Sequence, residues 1–163
     1  MLKLDNYDVS ILAVLQREGR ITKQRLSEQV NLSQSPCHER VKRLEKNGLI
    51  KEYNAQVDLA KFAIHSTFFV TIVLERHQKS DFQIFENRIA QYEQVIECHA
   101  LGGGLDYILK IIEKDISTYQ LLMESILEAR LGIAQYYTYI VTKSVFGPRG
   151  APLAYLFDSS EKK

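Results

Sequence analysis

The spacing of apolar residues changes near residue 50, and that change limits the folds open to the chain. Before it, apolar side chains recur at intervals of three and four, as in Leu4, Ile11, Leu12 and Leu15, which places them on one side of an α-helix. Beyond Gly48 the interval falls to two in several stretches, the spacing of strands. A helical first third and a mixed remainder therefore have to be read separately.

At 163 residues the chain holds one ordinary domain or two small ones, and 45% hydrophobic against 25% charged residues is enough to bury a core. The start, Met1-Leu2-Lys3-Leu4-Asp5, has no apolar signal core. No uncharged apolar run reaches the roughly 18 residues of a membrane helix. A cytoplasmic protein without membrane contact is expected. Cys37 and Cys98 sit in apolar patterns without metal-site or disulfide spacing, so buried thiols are expected. His38, His65, His77 and His99 form no metal-ligand spacing, and no nucleophile elbow or phosphate loop is present. No catalytic residue, metal or cofactor is expected, and the reading is not of an enzyme. Charge is uneven: residues 1 to 52 carry ten Lys/Arg against seven Asp/Glu, and the rest eleven against thirteen. The small basic surplus fits nucleic acid or a solvated helix face equally well.

The first helix begins at Asp5 and Asp8, an acidic pair suited to a helix start. A second runs from about Lys23 to Val30, with Thr22 as cap and Leu26 and Val30 inward. Asn31, Leu32 and Ser33 make a turn of the length that joins the two helices of a DNA-binding pair. Ser35-Pro36 is expected to open a third helix, with Ser35 as cap and Pro36 at the first helical position.

In that third helix Cys37, Val41 and Leu44 form the inward stripe, which turns the opposite face outward. Gln34, Ser35, His38 and Glu39 are then suited to base edges in a major groove. Lys42, Arg43 and Lys46 are placed for phosphates, as is Lys23 at the start of the second helix. Arg40, on the flank, has two readings: a phosphate contact, or a pair with an acidic neighbour inside the module. For the whole segment the plainer alternative is a three-helix interaction domain with a solvated basic face. The partner expected is double-stranded DNA.

Residues 49–57 read as a strand or hairpin arm, acting as a modest wing or, preferably, as a connector. A strand follows over Thr67 to Glu75. After a polar turn come Ser80-Asp81 and the helical series Phe82, Phe85, Ile89 and Tyr92. Strands over Val95 to Leu101 and Leu105 to Ile112 flank Gly102, Gly103 and Gly104 and should form a hairpin. A helix from about Ile116 to Arg130 turns Tyr119, Met123 and Ile126 inward and ends near Gly132, and Ile133 to Phe146 alternates as a last strand. The order is βαββαβ, ferredoxin-like, with helices on one sheet face. An RNA-recognition module shares that order, but the third strand here is too apolar for base stacking, so RNA is not expected. An apolar open sheet face instead implies burial against a second subunit, hence a homodimer. After Gly147-Pro148-Arg149-Gly150-Ala151-Pro152 the patch Leu153 to Phe157 is expected to dock on a neighbouring subunit, ahead of a polar terminus, with a disordered tail as the alternative. The expected fold class is α+β: an N-terminal (winged) helix-turn-helix domain, 1–50, a linker, 51–66, a ferredoxin-like domain, 67–146, and a C-terminal extension, 147–163.

The motif Asp5-x-x-Asp8-x-x-Ile11-Leu12-x-x-Leu15, then Gly19-Arg20-Ile21, then the run Leu32-Ser33-Gln34-Ser35-Pro36-Cys37-His38-Glu39-Arg40-Val41-Lys42-Arg43-Leu44 through to Ile50, resembles the Lrp/AsnC family of bacterial and archaeal regulators. Glu97-Cys98-His99 and Leu105-Asp106-Tyr107 are similar to that family's ligand-sensing domain. The resemblance implies a transcriptional regulator whose dimers assemble into tetramers or octamers and bind a small effector, usually an amino acid, between subunits. It also implies an effector role for Gly102, Gly103, Gly104 and Asp106. The family commonly has Gly, an acidic or amide residue, an aromatic and Asp in this turn, where the run here is Gly103-Gly104-Leu105-Asp106, with glycine in place of the acidic or amide residue. Backbone N–H groups of such a turn still suit a carboxylate. The plainer alternative is that the glycines only close a tight hairpin. Two other functions keep the same elements: an architectural DNA-binding protein of weak specificity, and a ferredoxin-like metabolic enzyme.

Overall fold

The computed structural model describes residues 3–157. The polar terminus expected after Phe157 lies outside the described residues. The chain forms two compact units: one takes the residues up to Gln56 together with those from Phe146 onward, and the other is Val57–Val145.

In the first unit, α1 (Asn6–Arg17) opens with a reciprocal cap. The Asp5 carboxylate accepts the Asp8 N–H at 3.0 Å, and the Asp8 carboxylate accepts the Asp5 N–H at 3.1 Å. α2 (Lys23–Gln29) is capped by Thr22, whose hydroxyl accepts the Arg25 N–H. It ends at Asn31, in left-handed backbone with φ 54°. There the Asn31 N–H reaches the Glu28 carbonyl and the Leu32 N–H the Ser27 carbonyl, so two otherwise unpaired carbonyls are satisfied. Asn tolerates that conformation better than branched residues do, and the chain turns directly into α3 (Gln34–Lys46). Ile11, Val14, Leu26, Val30, Cys37 and Leu44 pack together as the core of the three helices, with Val41 against it.

The start of α3 corrects the expectation from sequence. Ser33, not Ser35, occupies the cap position, and its hydroxyl makes no capping hydrogen bond. Pro36 is the third helical residue. The first bond back to the Ser33 carbonyl comes from Cys37, so the missing proline N–H removes nothing from the helix. α3 stops at Gly48, φ 71°, with the Gly48 N–H on the Glu45 carbonyl and the Leu49 N–H on the Leu44 carbonyl. The strand expected over 49–57 does not form. Among the described residues, strands occur only in the second unit, and the Leu49 and Ile50 amides turn back to Leu44 instead of meeting a neighbouring strand.

The second unit opens with a short helix that the sequence did not announce, α4 (Leu59–Phe62), and continues β1 (Ser66–Leu74), α5 (Lys79–Ile89), β2 (Val95–Ala100), β3 (Tyr107–Glu113), α6 (Ile116–Glu128) and β4 (Ile133–Ile140). The sheet order is β2-β3-β1-β4, and all three pairings are antiparallel. This is the expected ferredoxin-like order. Phe68, Val70, Ile72, Leu109 and Ile111 face α5 and α6, where they meet Phe85, Ile89, Met123 and Ile126. Tyr119 stacks on Phe68 at 4.0 Å between centroids. The residue that leaves α6 in left-handed backbone is Arg130, φ 52°, two positions before Gly132. β4 stops at Ile140, short of the expected Phe146. In the first unit again, α7 (Leu153–Leu156) closes the described chain.

Candidate DNA-binding face and sensing turn

α3 owes its position to a buried carboxylate. Asp8 is completely buried, and its two oxygens accept from Arg40 Nη1 at 2.9 Å and Arg43 Nη2 at 2.6 Å. Asp5 reinforces the pairing with both oxygens on Arg40 Nη1, at 2.9 and 2.8 Å. Burial alone would raise the Asp5 carboxyl, but the Asp8 amide and the Arg40 guanidinium outweigh it, and the group titrates below its usual range. Arg40 also lies over the Tyr7 ring. Of its two readings, Arg40 thus takes the pairing inside the module. Arg43 shares that duty but keeps its side chain 43% exposed.

Gln34, Ser35 and Glu39 are exposed on the first turns of α3, with Lys42 and Lys46 farther along. Cys37, 2% exposed, and Leu44, fully buried, lie on the opposite side, so one face of the helix is anchored and the other is open. Burial pushes the Cys37 thiol up. His38 is half-buried, and its Nε2 lies 3.4 Å from the Lys23 ammonium. Lysine only donates, so this contact needs Nε2 as acceptor and ties the start of α2 to α3. Sequence reasoning missed Tyr53, in the connector, whose hydroxyl donates to Glu45 at 2.9 Å. Burial and then that carboxylate push Tyr53 up to about 12. No periodic signal marks such a residue, since its partner lies on another element.

In the second unit the glycine turn is closed by the Leu101 N–H on the Asp106 carbonyl at 2.8 Å. Gly102, Gly103 and Gly104 are exposed, and a side chain on any of them would meet nothing within 4 Å. Gly103, φ 127°, holds a backbone conformation that other residues rarely adopt. The Asp106 carboxylate is engaged at the end of β1. Its Oδ2 accepts the Leu74 N–H at 2.7 Å and faces His77 Nε2 at 3.1 Å, so it fastens the end of β1 to the turn. His77 and Leu74 carried no sequence signal for this role.

The sheet face away from the helices mixes apolar and aromatic side chains with the polar or charged Glu97, His99, Lys110 and Gln135. Cross-strand partners share a face, so Thr71, Ile108 and Tyr137 lie together there, as do Phe69, Lys110 and Tyr139. Tyr137 and Tyr139 are about half exposed, whereas Thr71 Oγ1 is buried and has no hydrogen-bond partner among the described residues. On the same face Lys110 donates to Glu97 at 2.8 Å, which draws the Glu97 carboxyl below its usual range. Among the described residues no group of three or more His, Cys, Asp or Glu could hold a metal ion, and no helix is long and apolar enough to cross a membrane.

A family model for a winged helix-turn-helix DNA-binding domain matches residues 4–51, and one for an Lrp/AsnC ligand binding domain matches residues 67–150. The transcriptional regulatory protein DoeX of Halomonas elongata is 46% identical over 147 residues, covering 90% of this chain and 93% of that protein. The leucine-responsive regulatory protein of Escherichia coli K12 is 37% identical over 142 residues, covering 87% of each. Among solved structures, a transcriptional regulator of Neisseria meningitidis, crystallised as its complex with L-Met, has a TM-score of 0.87 and 30% identity, covering 95% of this chain and all of that one. An AsnC family transcriptional regulator of Agrobacterium tumefaciens also has a TM-score of 0.87, at 25% identity, covering 94% of this chain and all of that one.

Proposed function

The chain belongs to the Lrp/AsnC family of DNA-binding transcriptional regulators with a ligand-binding domain, and on that premise we propose how its residues divide the work. α3 enters the major groove, with Gln34, Ser35, His38 and Glu39 toward base edges and Lys23, Lys42, Arg43 and Lys46 toward phosphates. The observation that carries this is an exposed polar face set directly opposite a buried stripe, on a helix bolted to α1 through Asp8. Arg40, held by Asp5 and Asp8, serves geometry instead of phosphate.

The ferredoxin-like domain, roughly 67–146 with 51–66 as linker, senses an amino acid or a related small metabolite and acts without catalysis. The L-Met complex of the Neisseria regulator supports that ligand class. A carboxylate suits the backbone of the exposed 102–104 turn, which Asp106 fastens to the end of β1. The open sheet face takes a second copy of the chain, which supplies the partner that the buried Thr71 hydroxyl lacks among the described residues; such dimers assemble further into tetramers or octamers. The protein works in the cytoplasm. Effector binding shifts the balance between assemblies that space the recognition helices differently.

The experiment is the salt dependence of duplex binding. Lys42→Ala should weaken binding to all sequences and lower the log–log salt slope by roughly one unit for each phosphate it neutralises, while Gln34→Ala should relax discrimination by about 1 to 3 kcal/mol at a few positions. An unchanged slope removes Lys42 from the phosphate-binding set. For the sensing unit, thermal shift against a panel of amino acids decides: no stabilisation by any of them sinks that ligand class.

A further inference from the structure

The first unit is discontinuous. The chain leaves it after Gln56 and re-enters it at Phe146, so the sheet unit is joined to it by two covalent crossings. The returning segment packs on α1. Leu153 is half-buried in a groove with Leu12, Leu15, Leu49, Ile50 and Tyr53, all residues of the first unit. Gly150 lies so close to Gln16 that an added Cβ would be 2.7 Å from its Oε1 and 3.2 Å from its Cβ. α7 holds its turn through the Phe157 N–H on the Leu153 carbonyl, and Phe157 is half-buried too. Residues 151–157 extend beyond the stretch shared with the ligand-binding family model.

We propose that Phe146–Phe157 is a strap: it docks in the α1 groove of its own chain and makes a second tie by which the sheet unit holds the DNA-binding unit. The groove accepts Leu153 because α1 presents two apolar faces. Ile11 and Val14 serve the three-helix core, and Leu12 and Leu15 lie at its margin, next to Leu49 and Ile50 of the connector. A single linker would let the units move independently, whereas a loop closed at both ends couples the end of β4 to α1. The coupling, though not the docking, rests on the DNA-binding reading given above.

The docking is tested by crosslinking. In a full-length Cys98→Ser protein, Gln16→Cys with Gly150→Cys puts two thiols at a Cβ separation just under the roughly 3.5–4.5 Å of disulfides. Mild oxidation should give an intramolecular bond, seen as a monomer-sized band of faster mobility. A dimer-sized band would show that the strap is exchanged between copies, and no crosslink that it does not dock; either overturns the assignment. Leu153→Asp should in turn speed amide exchange of residues 12–17 by about tenfold or more and leave β1 unchanged. Equal exchange in α1 also overturns it.

The tie is read with a short DNA duplex as probe. Duplex binding should slow exchange in β4 of the wild type, and Leu153→Asp should abolish that response while changing duplex affinity by less than about twofold. The same β4 response in both proteins refutes the tie. Failure of the wild type to bind duplex at all refutes the DNA reading instead, and the crosslink result stands by itself.

Discussion

Asp8 gives the sharpest test of how the recognition helix is held. Asp8→Ala removes one accepted bond from each of two guanidinium groups and half of the α1 capping box. A hydrogen bond to a charged group is worth about 1.5–3 kcal/mol net, and a lost cap about 1 kcal/mol. The Arg40 and Arg43 side chains remain 26% and 43% exposed, so water takes up part of what they lose, and the full sum is too large. A loss of about 3 kcal/mol is expected, roughly two decades in the folding equilibrium of the DNA-binding unit. Urea unfolding followed by far-UV circular dichroism, with amide exchange in α1 and α3 as the local probe, separates this unit from the sheet unit. The decisive arm is the background lacking both arginines. There Asp8 is a buried carboxylate without a cation, so Asp8→Ala should cost little or even stabilise. An equal cost in both backgrounds would show that the ion pairs are not what Asp8 supplies.

The acid limb of stability carries the Asp5 pairing. Its folded pKa is depressed, so its contribution is present above the unfolded carboxyl value of about 3.9 and is lost as pH falls through the lower folded value. Asp5→Asn should flatten that limb in acid titration of α1 exchange while leaving neutral pH less affected; an unchanged limb refutes the pairing. In the sheet unit, Asp106→Ala strips the acceptor from the Leu74 amide and should cost about 1–3 kcal/mol in thermal or urea unfolding. A cost below about 0.5 kcal/mol would place Asp106 outside the structural role and return it to ligand contact.

The legible parts of this molecule are those in which one element carries its own pattern. Leu26 with Val30, and Cys37 with Leu44, are neighbours on single helices, and burial follows from spacing alone. The βαββαβ order was legible for the same reason. The parts that escaped depend on partners far along the chain. Asp5 and Asp8 read as a helix start, which they are, but the same carboxylates also bind Arg40 and Arg43 on another helix. No local spacing separates a capping carboxylate from one that also forms a buried pair. The alternation over 49–57 looked like a strand because periodicity describes one chain, whereas a strand also needs a neighbour to bond. Leu153 gave a similar surprise: an apolar patch signals docking, but not onto which surface.

The pairing also changes what the basic surplus of the first third can do. Of the five cations singled out for phosphate, Arg40 is committed to Asp5 and Asp8, Arg43 shares Asp8, and Lys23 contacts His38. Lys42 and Lys46 are the two that make no ion pair or hydrogen bond among the described residues. At about 0.9 of a counterion per phosphate neutralised, these two cations alone give only a shallow salt dependence and weak binding. Two recognition helices on one duplex double that number and add the second set of base contacts. On the proposed dimer reading, affinity then depends also on a surface of the other unit. The open sheet face, with its tyrosines and a Thr71 hydroxyl that has no partner among the described residues, is the surface the proposed dimer uses.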